Sequence, residues 1–291
     1  MIIPPNPQPA LLPYGGTPLF TINRAKRLTR FSMNTNHYHD YYEMYYLYSG
    51  ERNYFIRDQI YRIAKGDLVF INEYDLHKTT NTGAPPEHAR MVIYFRKDLF
   101  GEHSSLLQSK SSPFTNGSPV LSLQAHEQIY VEQILDKFES ELTDRRAYYD
   151  IRLKALMIEL FIVVLRLRET TMNRPIVSDK ILHSRVSDIA RFINDHYGER
   201  LTLADLSSRF YISPFYLSRI FKSSTGFSFV EYITTIRIRE AQKLLRETER
   251  KISLIAETVG FDDFAHFGRI FKKIAGMTPM QYRKLNQRRE R

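Results

Sequence analysis

The chain has 291 residues, 43% of them hydrophobic and 25% charged, and no cysteine. This composition excludes a chain disordered throughout and leaves length for one large or two medium domains. The lack of thiols excludes a disulfide framework, Cys-ligated zinc, iron–sulfur clusters and thiolate catalysis, while 42 Lys and Arg against 32 Asp and Glu leave +10, a balance suited to a polyanionic partner.

Residues 1–18, MIIPPNPQPALLPYGGTP, read as an extended arm, because Pro4, Pro5, Pro7 and Pro9 interrupt any apolar run before it reaches signal-peptide length. From 19 to about 94 the chain is dense in Tyr, Phe, Ile and Val, with turn signals such as Ser49-Gly50 and Lys65-Gly66-Asp67. Short aromatic and β-branched runs at this spacing predict an antiparallel sandwich or barrel. Residues 101–122, rich in Ser, Gly and Pro, read as a loop. The period then changes: Ile134, Leu135, Phe138 and Leu142 form one helical stripe, and Leu153, Leu156, Met157, Leu160, Phe161 and Val164 another. The second stripe suits either a dimer seam through Leu153, Leu156 and Leu160 or packing back onto the barrel. The most apolar window, 155–165, contains Glu159 and falls short of the roughly 20 residues of a membrane span, so a cytoplasmic protein with no membrane partner is expected. Residues 171–183, with Asn173-Arg174-Pro175, read as a linker.

Everything after the linker has helical periodicity, and the excess charge is concentrated there. Residues 179–291 hold 21 Lys and Arg against 13 Asp and Glu, whereas the preceding 178 hold 21 against 19. A basic helical module is the usual footprint of a nucleic-acid binder. The fold class expected is therefore α+β in two domains: residues 19–170 forming a β-barrel followed by two helices, and residues 184–291 all α.

Internal repetition sharpens the reading of the second domain. Residues 213–232 align with 263–282 at a constant offset, matching Arg219 with Arg269, Ile220 with Ile270, Phe221 with Phe271, Lys222 with Lys272, Gly226 with Gly276 and Tyr232 with Tyr282. Upstream, LADLS at 203–207 aligns with ISLIA at 252–256 after a one-residue slip, so each copy is a short helix, a turn and a second helix. Thr202 with Asp205, Ser213 with Pro214, and Asp263 are helix-start signals; Gly226 and Gly276 are helix-stop signals. Leu217, Ile220 and Phe221, and Phe267, Ile270 and Phe271, recur at helical spacing and must pack inward. The opposite face carries Phe215, Ser218, Arg219 and Lys222 in the first copy, and Ala265, Gly268, Arg269 and Lys272 in the second. Arg offers bidentate donors to guanine and Lys neutralises phosphate, and small Ala265 and Gly268 allow close approach to bases. Residues 229–247 between the copies read as one helix somewhat under about 30 Å long, close to the ~34 Å of a DNA turn.

These segments, FYLSRIFKSSTGFSFVEYITTIRIREAQKLL and KISLIAETVGFDDFAHFGRIFKKIAGMTPMQYR, resemble the DNA-binding domain of the AraC/XylS family of transcriptional regulators. The resemblance implies two helix-turn-helix subdomains joined by a linker helix, binding double-stranded promoter DNA under control of a separate effector domain. By motif, the contact positions fall on Phe215, Tyr216, Ser218 and Arg219, then Phe264, Ala265, His266, Gly268 and Arg269, and apolar Phe264 and Ala265 depart from the polar residues often found there. The resemblance also implies activation rather than repression, and RNA polymerase as a partner.

In the β region, His37, His39 and Glu43 are spaced by two and four residues, so on a single strand they share one face, and His77 could converge with them. The spelling resembles the cupin superfamily, in which such His and Glu positions ligate a divalent metal; here Phe31, Asn72 and Tyr74 replace that superfamily's expected glycine, proline and glycine. Three readings stay open: a structural hydrogen-bonded set; polar anchors for a small-molecule effector such as a sugar, with Tyr38, Tyr41, Tyr42, Tyr45 and Tyr46 offering stacking faces and Tyr38 and Tyr42 favoured among them; or a metal site, though no cofactor is required by the sequence. No glycine-rich phosphate loop or nucleophile–His pairing accompanies the quartet, so the expectation is a regulator and not an enzyme. The combined reading is a homodimeric, effector-responsive transcription factor. Its alternatives are a constitutive DNA binder whose barrel only dimerises, or a metal-dependent cupin-like sensor or enzyme.

Overall fold

The structure, a computed structural model, describes residues 13–14, 17–29, 38–82, 87–115, 118–171, 181–182 and 184–287. The arm before residue 13 and His37 lie outside these residues. A two-residue pairing of β1 (Pro13–Tyr14) with β2 (Thr17–Pro18) precedes the barrel.

The barrel strands are β3 (Phe20–Arg27), β4 (Tyr42–Ser49), β5 (Glu51–Ile56), β6 (Gln59–Ala64), β7 (Asp67–Ile71), β8 (His77–Asn81), β9 (His88–Phe95), β10 (Val120–Ser122) and β11 (Ile181–Leu182). They form two antiparallel sheets, in the orders β10-β7-β4-β9-β3 and β11-β6-β5-β8. Strand alternation divides β4 between two cores. Tyr42, Met44 and Tyr46 face the following helices, whereas Tyr45 and Leu47 join Tyr54, Ile56, Ile63, Val69, Ile71 and Val92 between the sheets. Because both faces are covered, β4 is buried from Tyr42 to Leu47.

Two expectations change here. The segment 101–122 is not a simple loop: a 3₁₀ helix spans Lys97–Gln108, kinked at Gly101 where φ is 53°, and β10 pairs with β7. The helices α1 (Ala125–Asp144) and α2 (Tyr149–Thr171) cover the five-stranded sheet, and Leu153, Leu156 and Leu160 are at most 1% exposed in that core. They are not a dimer seam, since the sheet's outer aromatic face, with Phe20, Tyr46 and Phe95, already buries their apolar area.

The C-terminal helices are α3 (Ser184–Asp195), α4 (Leu203–Arg209), α5 (Pro214–Thr225), α6 (Phe229–Glu247), α7 (Ile252–Thr258), α8 (Phe264–Ala275) and α9 (Pro279–Gln287). Two roughly opposite apolar faces of α6 serve two cores: Tyr232, Ile233 and Ile236 pack with α3 to α5, and Ile238, Ala241 and Leu245 with α7 to α9. No described helix is long and apolar enough to cross a membrane.

The connection between the domains is not wholly irregular. Ile181 and Leu182 pair with Tyr61 and Ile60, so the linker adds an edge strand to the barrel. The first helical core also takes in Tyr38, Phe55, Ile60 and Leu76 from the barrel, so the two domains share part of one apolar core.

Candidate nucleic-acid interface and barrel site

Each helix-turn-helix starts and stops by the local chemistry its sequence announces. Thr202 and Asp205 exchange hydrogen bonds as a capping box on α4; Ser213 accepts from the Tyr216 amide with Pro214 at the first helical position of α5. At α8, Asp263 accepts from the Ala265 and His266 amides at 2.7 and 3.2 Å, and those bonds hold its carboxyl below the usual range. Gly226 and Gly276 close α5 and α8 with φ of 80° and 75°, the left-handed conformation for which glycine has no steric penalty.

The inward residues behave as the spacing predicts: Leu217, Phe221, Phe267 and Phe271 are fully buried, and Ile220 and Ile270 partly so. On the other face Phe215, Tyr216, Ser218, Arg219, Lys222, Phe264, Ala265, His266, Arg269 and Lys272 are exposed and Gly268 is half-buried. Two aromatic rings stand in solvent at the helix starts, Phe215 at 76% and Phe264 at 55% exposure. The Arg219 guanidinium lies 6.0 Å from the Phe215 ring centre. An exposed aromatic beside an Arg at a helix N-terminus is a surface able to meet a thymine methyl and a guanine edge together.

In the barrel the structure brings together His39, Glu43 and His77, all buried. His39 does not share a strand with Glu43, because β4 begins only at Tyr42; it reaches Glu43 from the preceding loop. The Glu43 carboxylate faces His39 Nε2 at 3.0 Å and His77 Nε2 at 3.3 Å through Oε2, and accepts from the Tyr54 hydroxyl at 2.9 Å through Oε1. Burial acts to raise the Glu43 carboxyl, but His77 and His39 outweigh it and hold the group well below the usual carboxylate range. Burial keeps His39 low, whereas His77 is raised despite burial by its charge interaction with Glu43.

Both imidazoles also place Nδ1 at 2.8 Å from a backbone carbonyl, of Tyr41 for His39 and of Asp75 for His77. A carbonyl only accepts, so Nδ1 carries a proton on both rings; Nε2 donates to Glu43 when the ring is an imidazolium, the form the upward shift favours for His77, and offers a lone pair when that proton is lost. Two Nε2 lone pairs and a carboxylate oxygen around one point are the donor set of a divalent cation, with the Nδ1–H bonds as orienting supports. Metal–ligand bonds of about 2.1 Å give ligand separations of about 3.0 to 3.4 Å; the two His–Glu separations, 3.0 and 3.3 Å, fall in that range and equally in that of a charged hydrogen bond, and all three ligand atoms lie within 4.8 Å of one another.

Of the candidate stacking tyrosines, Tyr38 and Tyr41 line one cavity with His39, whereas Tyr42 does not. Tyr38 packs into the domain interface and its hydroxyl donates to Gln242 Oε1 on α6 at 2.8 Å; Tyr42 stacks on Phe95 in the helix-facing core. The ring stacked on His39 is that of Tyr41, another of those candidates, at 3.9 Å between centres. Sequence reasoning also missed Lys78, which donates to the Gly226 carbonyl, and Arg52 and Arg90 inside the barrel. A lysine or arginine in an alternating strand reads as outward-facing, and nothing local signals otherwise.

Comparison with known proteins agrees with this architecture at both ends. Residues 24–161 match the AraC-like ligand binding domain and residues 206–285 the helix-turn-helix domain. The chain belongs to the AraC family of transcriptional regulators. Among relatives, it is 37% identical over 102 residues to the HTH-type transcriptional regulator YisR of Bacillus subtilis, an alignment covering 35% of this chain and 36% of YisR. It is 25% identical over 276 residues to the melibiose operon regulatory protein of Escherichia coli K12, covering 88% of this chain and 86% of that protein. It is likewise 25% identical over 248 residues to the HTH-type transcriptional activator RhaR of Cronobacter sakazakii, covering 85% and 86%. A DNA-binding regulator of the AraC family thus carries a ligand-binding barrel ahead of its two helical readers.

Proposed function

We propose that this AraC-family regulator activates transcription in response to a small molecule, a carbohydrate first among the candidates, bound by the barrel. The observation that carries the reading is the pair of side-chain-capped helices, α5 and α8, each presenting an equivalent Arg and Lys away from its core, with Lys273 a further exposed cation on α8. Arg219 and Arg269 read guanine edges, Lys222 and Lys272 hold phosphates, and Phe215, Tyr216, Ser218, Phe264, Ala265, His266 and Gly268 complete the two contact surfaces. The name of the melibiose regulator supports a sugar effector, and that of RhaR supports activation. The ligand must favour one arrangement of barrel and readers over another, since equal affinity for both shifts nothing. The protein works in the cytoplasm as a homodimer, and RNA polymerase is its partner at the promoter. Fragments from the region upstream of its own gene should be retarded by the full chain at low ionic strength, with retention or transcript yield changed by one sugar of a panel; no retardation of any fragment would refute the reading.

A second reading concerns the barrel alone and rests on the facing Nε2 atoms. We infer that His39, Glu43 and His77 hold a divalent cation that pins the loop before β4 to the barrel. The cation supplies charge neutralisation and structural constraint. Elemental analysis of the full chain purified without chelator should find about one transition metal per chain, and its removal should lower the melting temperature. A metal-free protein whose melting temperature ignores added zinc, manganese and nickel would refute it.

A further inference from the structure

The end of the barrel interior away from Glu43 holds a charge that no carboxylate among the described residues neutralises. Arg52 on β5 is 1% exposed. Strand alternation puts it on the same face as Tyr54 and Ile56, which pack between the sheets. Its Nη1 donates to Asn81 Oδ1 on the neighbouring strand, but Nε and Nη2 are buried with no hydrogen-bond partner. Arg90 enters from the opposite sheet, on the face of β9 that carries Val92 and Tyr94, and its Nη1 is likewise buried without a partner.

Tyr45 links the two. The Arg90 guanidinium lies 6.0 Å from its ring centre, and its hydroxyl is a third buried polar group with no partner. Burial pushes the Tyr45 phenol up to about 12 against the pull of Arg90 and Arg52, so at neutral pH it is a donor and not a counter-charge. Burial lowers Arg52, and the titratable neighbours it feels are the tyrosines 45 and 54, neutral at pH 7, and the arginines 90 and 27. No carboxylate among the described residues forms an ion pair with Arg52 or Arg90.

A buried guanidinium without a carboxylate is expensive, and a protein interior retains one where something else supplies the anion. Guanidinium forks fit carboxylate and phosphate oxygens in a bidentate manner that no neutral hydroxyl reproduces. We propose that the effector is an oxyanion-bearing small molecule, a sugar acid or sugar phosphate in the carbohydrate reading, whose carboxylate or phosphate is held between the sheets by Arg52, Arg90 and the Tyr45 hydroxyl. The proposal rests on the effector reading above and narrows it: neutral sugars lack the group the site needs.

The test is the melting temperature of the full chain at fixed ionic strength with inorganic phosphate, galacturonate and glucose 6-phosphate, beside galactose and glucose. At least one anion should raise it where the neutral sugars do not, because only a ligand of the native state stabilises by mass action. Galacturonate against glucose 6-phosphate separates carboxylate from phosphate. Arg52→Met should weaken anion affinity at least tenfold by titration calorimetry and should raise the melting temperature of the unliganded protein; Arg52→Lys should retain part of the affinity. If Arg52→Met does not fold, Arg90→Met carries the same expectation for affinity. A neutral sugar that stabilises wild type and Arg52→Met equally would overturn the anion site and leave the effector reading standing. Failure of all three anions to move the wild-type melting temperature would overturn the anion site, and retardation of DNA unaffected by any sugar would separately count against the effector reading.

Discussion

The Lys78 ammonium donates to the Gly226 carbonyl at 2.6 Å, joining a barrel strand to the C-cap of α5. The contact places a cation at the negative end of α5, and Lys78 also lies 5.1 Å from the centre of the Phe227 ring. Tyr38 with Gln242, and Tyr232 with the Arg57 carbonyl, bridge the same interface. The barrel therefore holds α5 by its C-terminal end and leaves its N-terminal end, the proposed DNA face, in solvent.

Lys78→Met removes that bond and leaves the terminal carbonyl of α5 without its cation. A hydrogen bond to a charged group contributes about 1.5–3 kcal/mol, and urea unfolding of the full chain should show a loss of about that size. An unchanged midpoint would mean that the interface does not depend on the contact.

Gly226→Ala should be damaging for two reasons. Its φ of 80° disfavours any side chain, and a Cβ there would lie 2.6 Å from Lys78 Cδ. A loss of more than about 1 kcal/mol is expected by the same unfolding assay; a neutral outcome would contradict the observed approach of Lys78.

Gly268→Ala separates stability from binding. A Cβ at that helical position meets nothing within 4 Å, so alanine should stabilise the free protein by about 1 kcal/mol through helix propensity. The added methyl stands on the proposed DNA face, so affinity for a selected operator should fall several-fold in fluorescence anisotropy. Unchanged affinity would take position 268 off that face.

Arg219→Ala and Arg269→Ala should each cost about 1–3 kcal/mol of operator affinity and relax preference at one base position. Selection from a random duplex pool with each variant reads both effects. A uniform loss across all sequences would reduce the residue to a phosphate contact.

What could be read from the chain followed the range of the interactions involved. The caps at Ser213 and Asp263, the stops at Gly226 and Gly276 and the inward stripe through Leu217 and Phe221 depend on neighbours within a turn, and their residue types announce them. The convergence of Glu43 with His77 was suggested by residue type, but the entry of His39 from a loop was not, because strand bounds depend on the partner strand. Pairings across the domains left no mark: Tyr38 and Gln242 are 204 positions apart, and neither residue type specifies a partner. Leu153, Leu156 and Leu160 illustrate the ambiguity that remains, since one apolar stripe serves a dimer seam or an intramolecular core equally well until the sheet it covers is known. Arg52 is the converse case, a charge on an alternating strand whose burial follows only from the closing of one sheet over the other.

The central claim, that one chain reads DNA twice, is tested most directly by hydroxyl-radical footprinting of the full chain on a selected operator. The account predicts two protected patches on one face of the duplex, about 10 base pairs apart, with Arg219→Ala weakening one and Arg269→Ala the other. A single patch, or two that fade together whichever arginine is changed, would contradict it.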